Sequence, residues 1–153
     1  MNPELSILIP VRDEEENVKI ISKKIEKEIA NPNYELLFVN DFSEDDTIKV
    51  IEEIKVQNKK IRYVNNEKKG LGGAISFGIK ESRGKYVCIM MSDSSDTVED
   101  LNRYYETIMT NNLDAVFGSR FIKGGKTVDY PVVKLILNRL GNLLAKFLMW
   151  SDL

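Results

Sequence analysis

Short apolar runs alternate along the chain with longer stretches in which hydrophobic residues recur every three or four positions. Five runs, Leu5 to Pro10, Glu35 to Asn40, Ile61 to Asn65, Tyr86 to Met91 and Asp114 to Gly118, are too short for helices and carry the residues of buried strands. Between them Val18, Ile21, Ile25 and Ile29 share one helical face, and Ile48, Ile51 and Ile54 mark a second helix over Thr47 to Val56. Leu71, Ile75 and Ile79 mark a third, and Val98, Leu101, Tyr105 and Ile108 a fourth. Pro131 opens a last, leucine-rich helix. This alternation predicts an α/β fold: a Rossmann-like, mainly parallel sheet with helices on both faces.

Ligands of such sheets bind beyond the carboxyl ends of the strands. That rule selects four segments: Pro10 to Asn17, Asn40 to Thr47, Asn65 to Gly73 and Ser92 to Glu99. The first is acidic and opens a helix, so part of its charge answers the helix dipole. In the second, Asp41 follows an apolar strand directly and is expected to point into the crevice, where a carboxylate accepts hydrogen bonds from a base or a ribose. The third, Gly70-Leu71-Gly72-Gly73, lets backbone amides approach an anion, although it is not a Walker loop. In the fourth, Asp93 stands just past a strand and Asp96 is placed to cap the next helix; two acids there suit a hard cation.

Composition narrows the chemistry. The 153 residues suit one domain, and 42% hydrophobic with 30% charged residues is the balance of an ordinary globular protein. A net charge of -2 argues against a general nucleic-acid binder. The absence of histidine removes Ser-His-Asp and Cys-His catalysis and every His-based metal site, so a metal here must take oxygen ligands, which favours Mg2+ or Mn2+. The single cysteine, Cys88, lies in an apolar run and reads as a buried small hydrophobe. The first residues lack a secretory signal, which predicts a cytoplasmic chain, and Lys134, Arg139 and Lys146 interrupt the apolar stretch Val132 to Trp150.

Six segments in register resemble one family. The chain reads Pro10-Val11-Arg12-Asp13-Glu14, Val39-Asn40-Asp41-Phe42-Ser43, Gly70-Leu71-Gly72, Ser92-Asp93, Gly118-Ser119-Arg120 and Gly124-Gly125. Family-2 glycosyltransferases that act on polyprenyl phosphates, the dolichyl-phosphate mannose and glucose synthases among them, carry Pro-Thr-Tyr-Asn-Glu, Val-Asp-Asp-Gly-Ser, Gly-Leu-Gly, Asp-Ala-Asp, Gly-Ser-Arg and Gly-Gly in that order. The resemblance implies the nucleotide-diphospho-sugar transferase (GT-A) fold, with a nucleotide-sugar-binding core over 1–125 and an acceptor-side amphipathic helix over 126–153 in a single domain. It implies that Pro10, Arg12, Glu14, Val39 and Asp41 surround the nucleotide, with Gly70 and Ser92 also on the nucleotide side. Asp93 and Ser95 would hold Mg2+ or Mn2+, although Met91 replaces the first motif aspartate.

The same resemblance puts Arg120 beside the diphosphate and Lys134 and Asn138, one helical turn apart, at the acceptor phosphate. The implied partners are a nucleoside diphosphate sugar of the GDP-mannose or UDP-glucose type and a polyprenyl phosphate. Peripheral contact with the cytoplasmic face of a membrane is expected, and homo-oligomerisation is left open. Family members continue past the leucine-rich helix, so the chain is expected to be a partial catalytic domain. Two other classes compete. A sugar nucleotidylyltransferase would carry a glycine-rich loop after the first strand, and Pro10 to Asn17 has no glycine. A receiver-like binding module would need an acid pair, an acceptor aspartate and a strand-end lysine, which Asp13, Asp93 and Lys123 imitate loosely.

Overall fold

The computed structural model describes residues 2–93, 95–119 and 131–149. The chain divides into two compact units, Met1–Val116 and Phe117–Leu153.

The first unit runs β1 (Leu5–Val11), α1 (Glu15–Glu28), β2 (Tyr34–Asn40), α2 (Thr47–Gln57), β3 (Ile61–Asn65), α3 (Leu71–Glu81), β4 (Tyr86–Ile89) and α4 (Val98–Asn111). The strands form one wholly parallel sheet in the order β3-β2-β1-β4, with Ile9 opposite Phe38 and Phe38 opposite Tyr63. Every residue of β1 and β2 is buried, as continuous apolar runs demand of central parallel strands.

Side chains that alternate along the strands build two cores. Leu5, Ile7, Ile9 and Val11, with Leu36 and Phe38, pack with Val18, Ile21 and Ile25 of α1, Val50 and Ile51 of α2, and Val98 and Leu101 of α4. Leu8, Leu37 and Val39 point the other way, onto Ala74 and Phe77 of α3. α3 lies close because Gly78 faces the sheet: a Cβ there would stand 2.5 Å from Leu8 Cδ1 and 2.7 Å from Val39 Cγ2.

A polar clamp closes the opposite end of the sheet. The Ser6 hydroxyl donates to Glu35 Oε1 at 2.5 Å, Arg62 Nε donates to Glu35 Oε2 at 2.7 Å, and the Arg83 amide donates to Oε1 at 2.7 Å. The Gly84 amide donates to Ser6 Oγ and Arg62 Nη2 to the Glu81 carbonyl, so the α3–β4 turn is tied to the strand starts. Burial pushes the Glu35 carboxyl up, but the bonds from Arg62, Ser6 and Arg83 outweigh it and hold the group below its ordinary value. Cys88 is partly buried against the α1 side of the sheet, and burial pushes its thiol up to about 11, which makes it a packing residue rather than a nucleophile.

Two expectations are corrected. The fifth strand, Asp114 to Gly118, does not form: residues 115–119 take no regular structure and Phe117 is 90% exposed. A strand exists only through its pairing, and a run with two large apolar residues supplies little burial to drive it. Asp96 is also not the cap of α4. Thr97 caps it, accepting from the Asp100 amide, while Asp96 Oδ2 accepts from the Met91 amide and closes the β4–α4 loop.

The second unit holds α5 (Val132–Met149), as Pro131 signals. Val133, Ile136, Leu137, Leu140, Leu143 and Leu144 are all more than half exposed on it, and Lys134 and Asn138 are exposed as well. Among the described residues no helix is long and apolar enough to cross a membrane.

Candidate nucleotide site

The carboxyl ends of β1, β2 and β3 deliver their loops side by side, and hydrogen bonds between loops distant in sequence join them. The Asp13 amide donates to Ser43 Oγ at 3.1 Å and the Glu44 amide returns to Asp13 Oδ1 at 2.7 Å. The Glu14 amide donates to Thr47 Oγ1, the Glu15 amide to Asp45 Oδ2 and the Asp46 amide to Glu15 Oε2. Much of the acidic charge in these two loops is therefore spent on capping amides of the neighbouring loop, as helix starts with unsatisfied N–H groups require. The Glu14 carboxylate accepts from Asn17 Nδ2 at 2.5 Å, and Arg12 lies at the surface with Nε 4.0 Å from Asp13 Oδ2.

Asp41 is the centre of the arrangement. It is 6% exposed, and both its oxygens accept from the Gly70 amide, at 2.8 and 3.0 Å. Asn66 Nδ2 donates to Oδ1 at 2.7 Å and also to the Lys68 carbonyl, so one carboxylate sets the path of the whole β3–α3 loop. Gly70 turns at φ 116°, where glycine is the natural residue. This sharpens two expectations. Asp41 stands at the end of β2 as expected, but it is buried with its hydrogen bonds holding a loop; the Gly70 amide expected to meet an anion is taken by Asp41.

Beside this junction lies a cleft of about 400 Å³ lined by Asn40, Phe42, Ser43, Glu44, Asn65, Asn66 and Lys69. Asn40 Nδ2 donates to Asn65 Oδ1 at 2.9 Å, and Asn40 Oδ1 accepts from the Ser43 amide at 3.0 Å. Sequence reasoning overlooked Asn65, Asn66 and Phe42. Two successive amides at a strand end, next to the glycine loop, were the available signal.

The remaining expected residues fall into three groups. Pro10 and Val39 are opposite one another in the sheet, and the Val39 side chain is fully buried in the α3-side core. Ser92 is buried and Asp93 exposed in the β4–α4 loop, where Ser95 donates through its amide to Asp93 Oδ1 at 2.9 Å. Hydrogen bonds from the Ser95 hydroxyl and amide hold the Asp93 carboxyl below its ordinary value, so it is an anion at neutral pH. Among the described residues no three His, Cys, Asp or Glu side chains gather to hold a metal. Lys134 and Asn138 belong to the second unit, and Arg120, Lys123 and Gly124-Gly125 lie outside the described residues.

A parallel sheet whose strand ends carry a buried acid, an amide-rich cleft and a glycine loop has a Rossmann-like architecture, in which ligands are received at the carboxyl ends of the strands. Residues 6–151 match glycosyl transferase family 2, and the chain belongs to that family. It is 31% identical over 137 residues to a dolichol-phosphate mannosyltransferase of Pyrococcus furiosus, covering 88% of this chain and 38% of that protein. It is 29% identical over 148 residues to a polyprenol monophosphomannose synthase of Mycolicibacterium smegmatis, covering 94% and 55%. The chain thus spans about half or less of these curated relatives.

Solved structures agree on the GT-A fold. The mannosyltransferase PcManGT from Pyrobaculum calidifontis, in complex with GDP-Man and Mn2+, matches 71% of this chain and 33% of its own at a TM-score of 0.61 and 18% identity. S. aureus TarS 1-349 in complex with UDP matches 78% and 40% at a TM-score of 0.62 and 18% identity.

Proposed function

We infer that the chain binds a nucleoside diphosphate sugar at the strand ends and passes the sugar, with inversion, to a polyprenyl phosphate such as dolichyl phosphate. The observation that carries this reading is the Asp41–Asn66–Gly70 junction beside an amide-lined cleft, in a chain of glycosyl transferase family 2. The names of its relatives support mannose as the sugar and a polyprenyl phosphate as the acceptor.

The reaction asks little acid–base chemistry of the protein. An acceptor phosphate monoester has its second pKa at about 6 and is largely ionised at neutral pH, so a chain without histidine needs no substitute base. A phosphate oxygen bonds to the anomeric carbon from the face opposite the diphosphate, and the bond to the diphosphate breaks with its electron pair leaving on the nucleotide. Two tasks remain: orientation and charge stabilisation. By the motif resemblance alone, the residues for these tasks are Lys134 and Asn138, four apart on α5, for the acceptor phosphate and Arg120 for the departing diphosphate.

Asp93, with Ser95 beside it, offers one anionic carboxylate and oxygen donors only, which fits Mg2+ or Mn2+ that keeps its waters and shares the substrate's phosphates. Such an ion would add positive charge where the diphosphate departs. The apolar residues of α5 with Lys134 and Arg139 among them suit the interface of a membrane, at whose cytoplasmic face the acceptor lipid would be met.

Calorimetric titration of the chain with GDP-mannose and UDP-glucose, with and without Mn2+, tests the reading. Saturable binding of at least one is expected, and no binding of either sinks it. Binding without sugar transfer to dolichyl phosphate would assign the chain a binding role alone, a reading that Met91, in place of a metal-binding aspartate, favours.

A further inference from the structure

One residue of the cleft is placed at a cost. Phe42 has φ 61°, a left-handed conformation that bulky side chains rarely adopt and that glycine adopts freely. The backbone that follows it is tied down: the Ser43 amide donates to Asn40 Oδ1, the Ser43 hydroxyl accepts from the Asp13 amide, and the Glu44 amide donates to Asp13 Oδ1. The ring gains no core burial in return. It is 44% exposed, belongs to neither hydrophobic core, and forms part of the wall of the cleft.

Strain of this kind persists where the surroundings enforce it and clusters at ligand sites. A half-exposed aromatic face in a cleft otherwise made of amides, a hydroxyl, a carboxylate and an ammonium has one evident complement, a flat heteroaromatic ring with polar edges. Stacking on the ring would supply affinity, while Asn65, Glu44 and Lys69 around it offer hydrogen-bonding groups to the edges. We propose that Phe42 is the stacking platform for the nucleobase of the donor, and a specificity residue that favours a purine over a pyrimidine through the larger stacked area. The proposal rests on the nucleotide-sugar reading above and names the side chain that grips the base.

The test compares the whole chain with its Phe42→Gly, Phe42→Leu and Phe42→Trp variants. GDP and UDP binding are measured by calorimetry, pyrophosphate affinity by the same means, and melting temperature without ligand. Phe42→Gly is expected to raise the melting temperature, because the strained φ is relieved, and to weaken GDP about tenfold, UDP less and pyrophosphate not at all. Phe42→Leu keeps apolar bulk without the π-face and is expected to weaken GDP similarly, whereas Phe42→Trp retains the wild-type affinity.

Unchanged GDP affinity in Phe42→Gly or Phe42→Leu would overturn the proposal. So would a parallel loss of pyrophosphate affinity, which would show that Phe42 shapes the loop rather than meeting the base. Failure of the wild-type chain to bind GDP and UDP would instead remove the nucleotide-sugar reading, and this proposal with it.

Discussion

At the scale of single residues, the site is organised by a carboxylate that acts on its own chain. Asp41 holds the Gly70 amide with both oxygens and the Asn66 amide group with one, all in a place where water has little access. Removing it leaves those donors unsatisfied, which costs on the order of 1–3 kcal/mol. Asp41→Ala should therefore lower the melting temperature as well as abolish nucleotide binding, and Asp41→Asn, which keeps one acceptor oxygen, should lie between the two. Urea unfolding together with a GDP-mannose titration measures both effects. An Asp41→Ala variant as stable as the wild type would mean that the loop is held by other contacts.

At the scale of elements, α3 shows how position is set by what a residue lacks. Its apolar periodicity predicts a helix, but only the missing side chain at Gly78 lets that helix rest on Leu8 and Val39 and bring the Lys68–Gly70 loop to Asp41. Gly78→Ala gains up to about 1 kcal/mol of helix propensity, yet it forces a methyl group into fully packed side chains, which costs about 1–3 kcal/mol. The expected outcome is a net loss of stability, read as a lower denaturant midpoint. A rise in the midpoint would show that the core yields. The same logic explains why the start of β2 was predictable and the run after α4 was not: Tyr34–Asn40 has neighbours on both sides, whereas residues 115–119 pair with nothing among the described residues.

At the scale of the whole molecule, the two units carry different chemistry. The first holds the sheet and the cleft, and the second presents a helix with six large apolar residues, among those described, more than half exposed. If α5 meets a lipid interface, the chain should co-sediment with phospholipid vesicles, and Leu140→Glu combined with Leu144→Glu should leave it in the supernatant without altering GDP binding. Wild-type protein that stays in the supernatant would count against the membrane contact, and not against the nucleotide site.

The order and type of all nine elements among the described residues were legible in the sequence, as was the burial of β1 and β2, because periodicity and composition act over a few residues; the strand expected over Asp114 to Gly118 was surplus, and β3 and β4, expected to be buried, are only partly so. Composition also sufficed to show that these 153 residues supply no histidine. What local patterns could not show is pairing across distance. That Asp41 meets Gly70, that Asp13 and Glu44 exchange bonds, and that Phe42 is forced into a left-handed turn all depend on partners about thirty residues apart, brought together only when the parallel sheet aligns its loops. The acids looked alike as letters. Tertiary structure sorted them into caps, a loop anchor at Asp41 and an exposed anion at Asp93, because a carboxylate's role is set by which donors reach it and how much water remains.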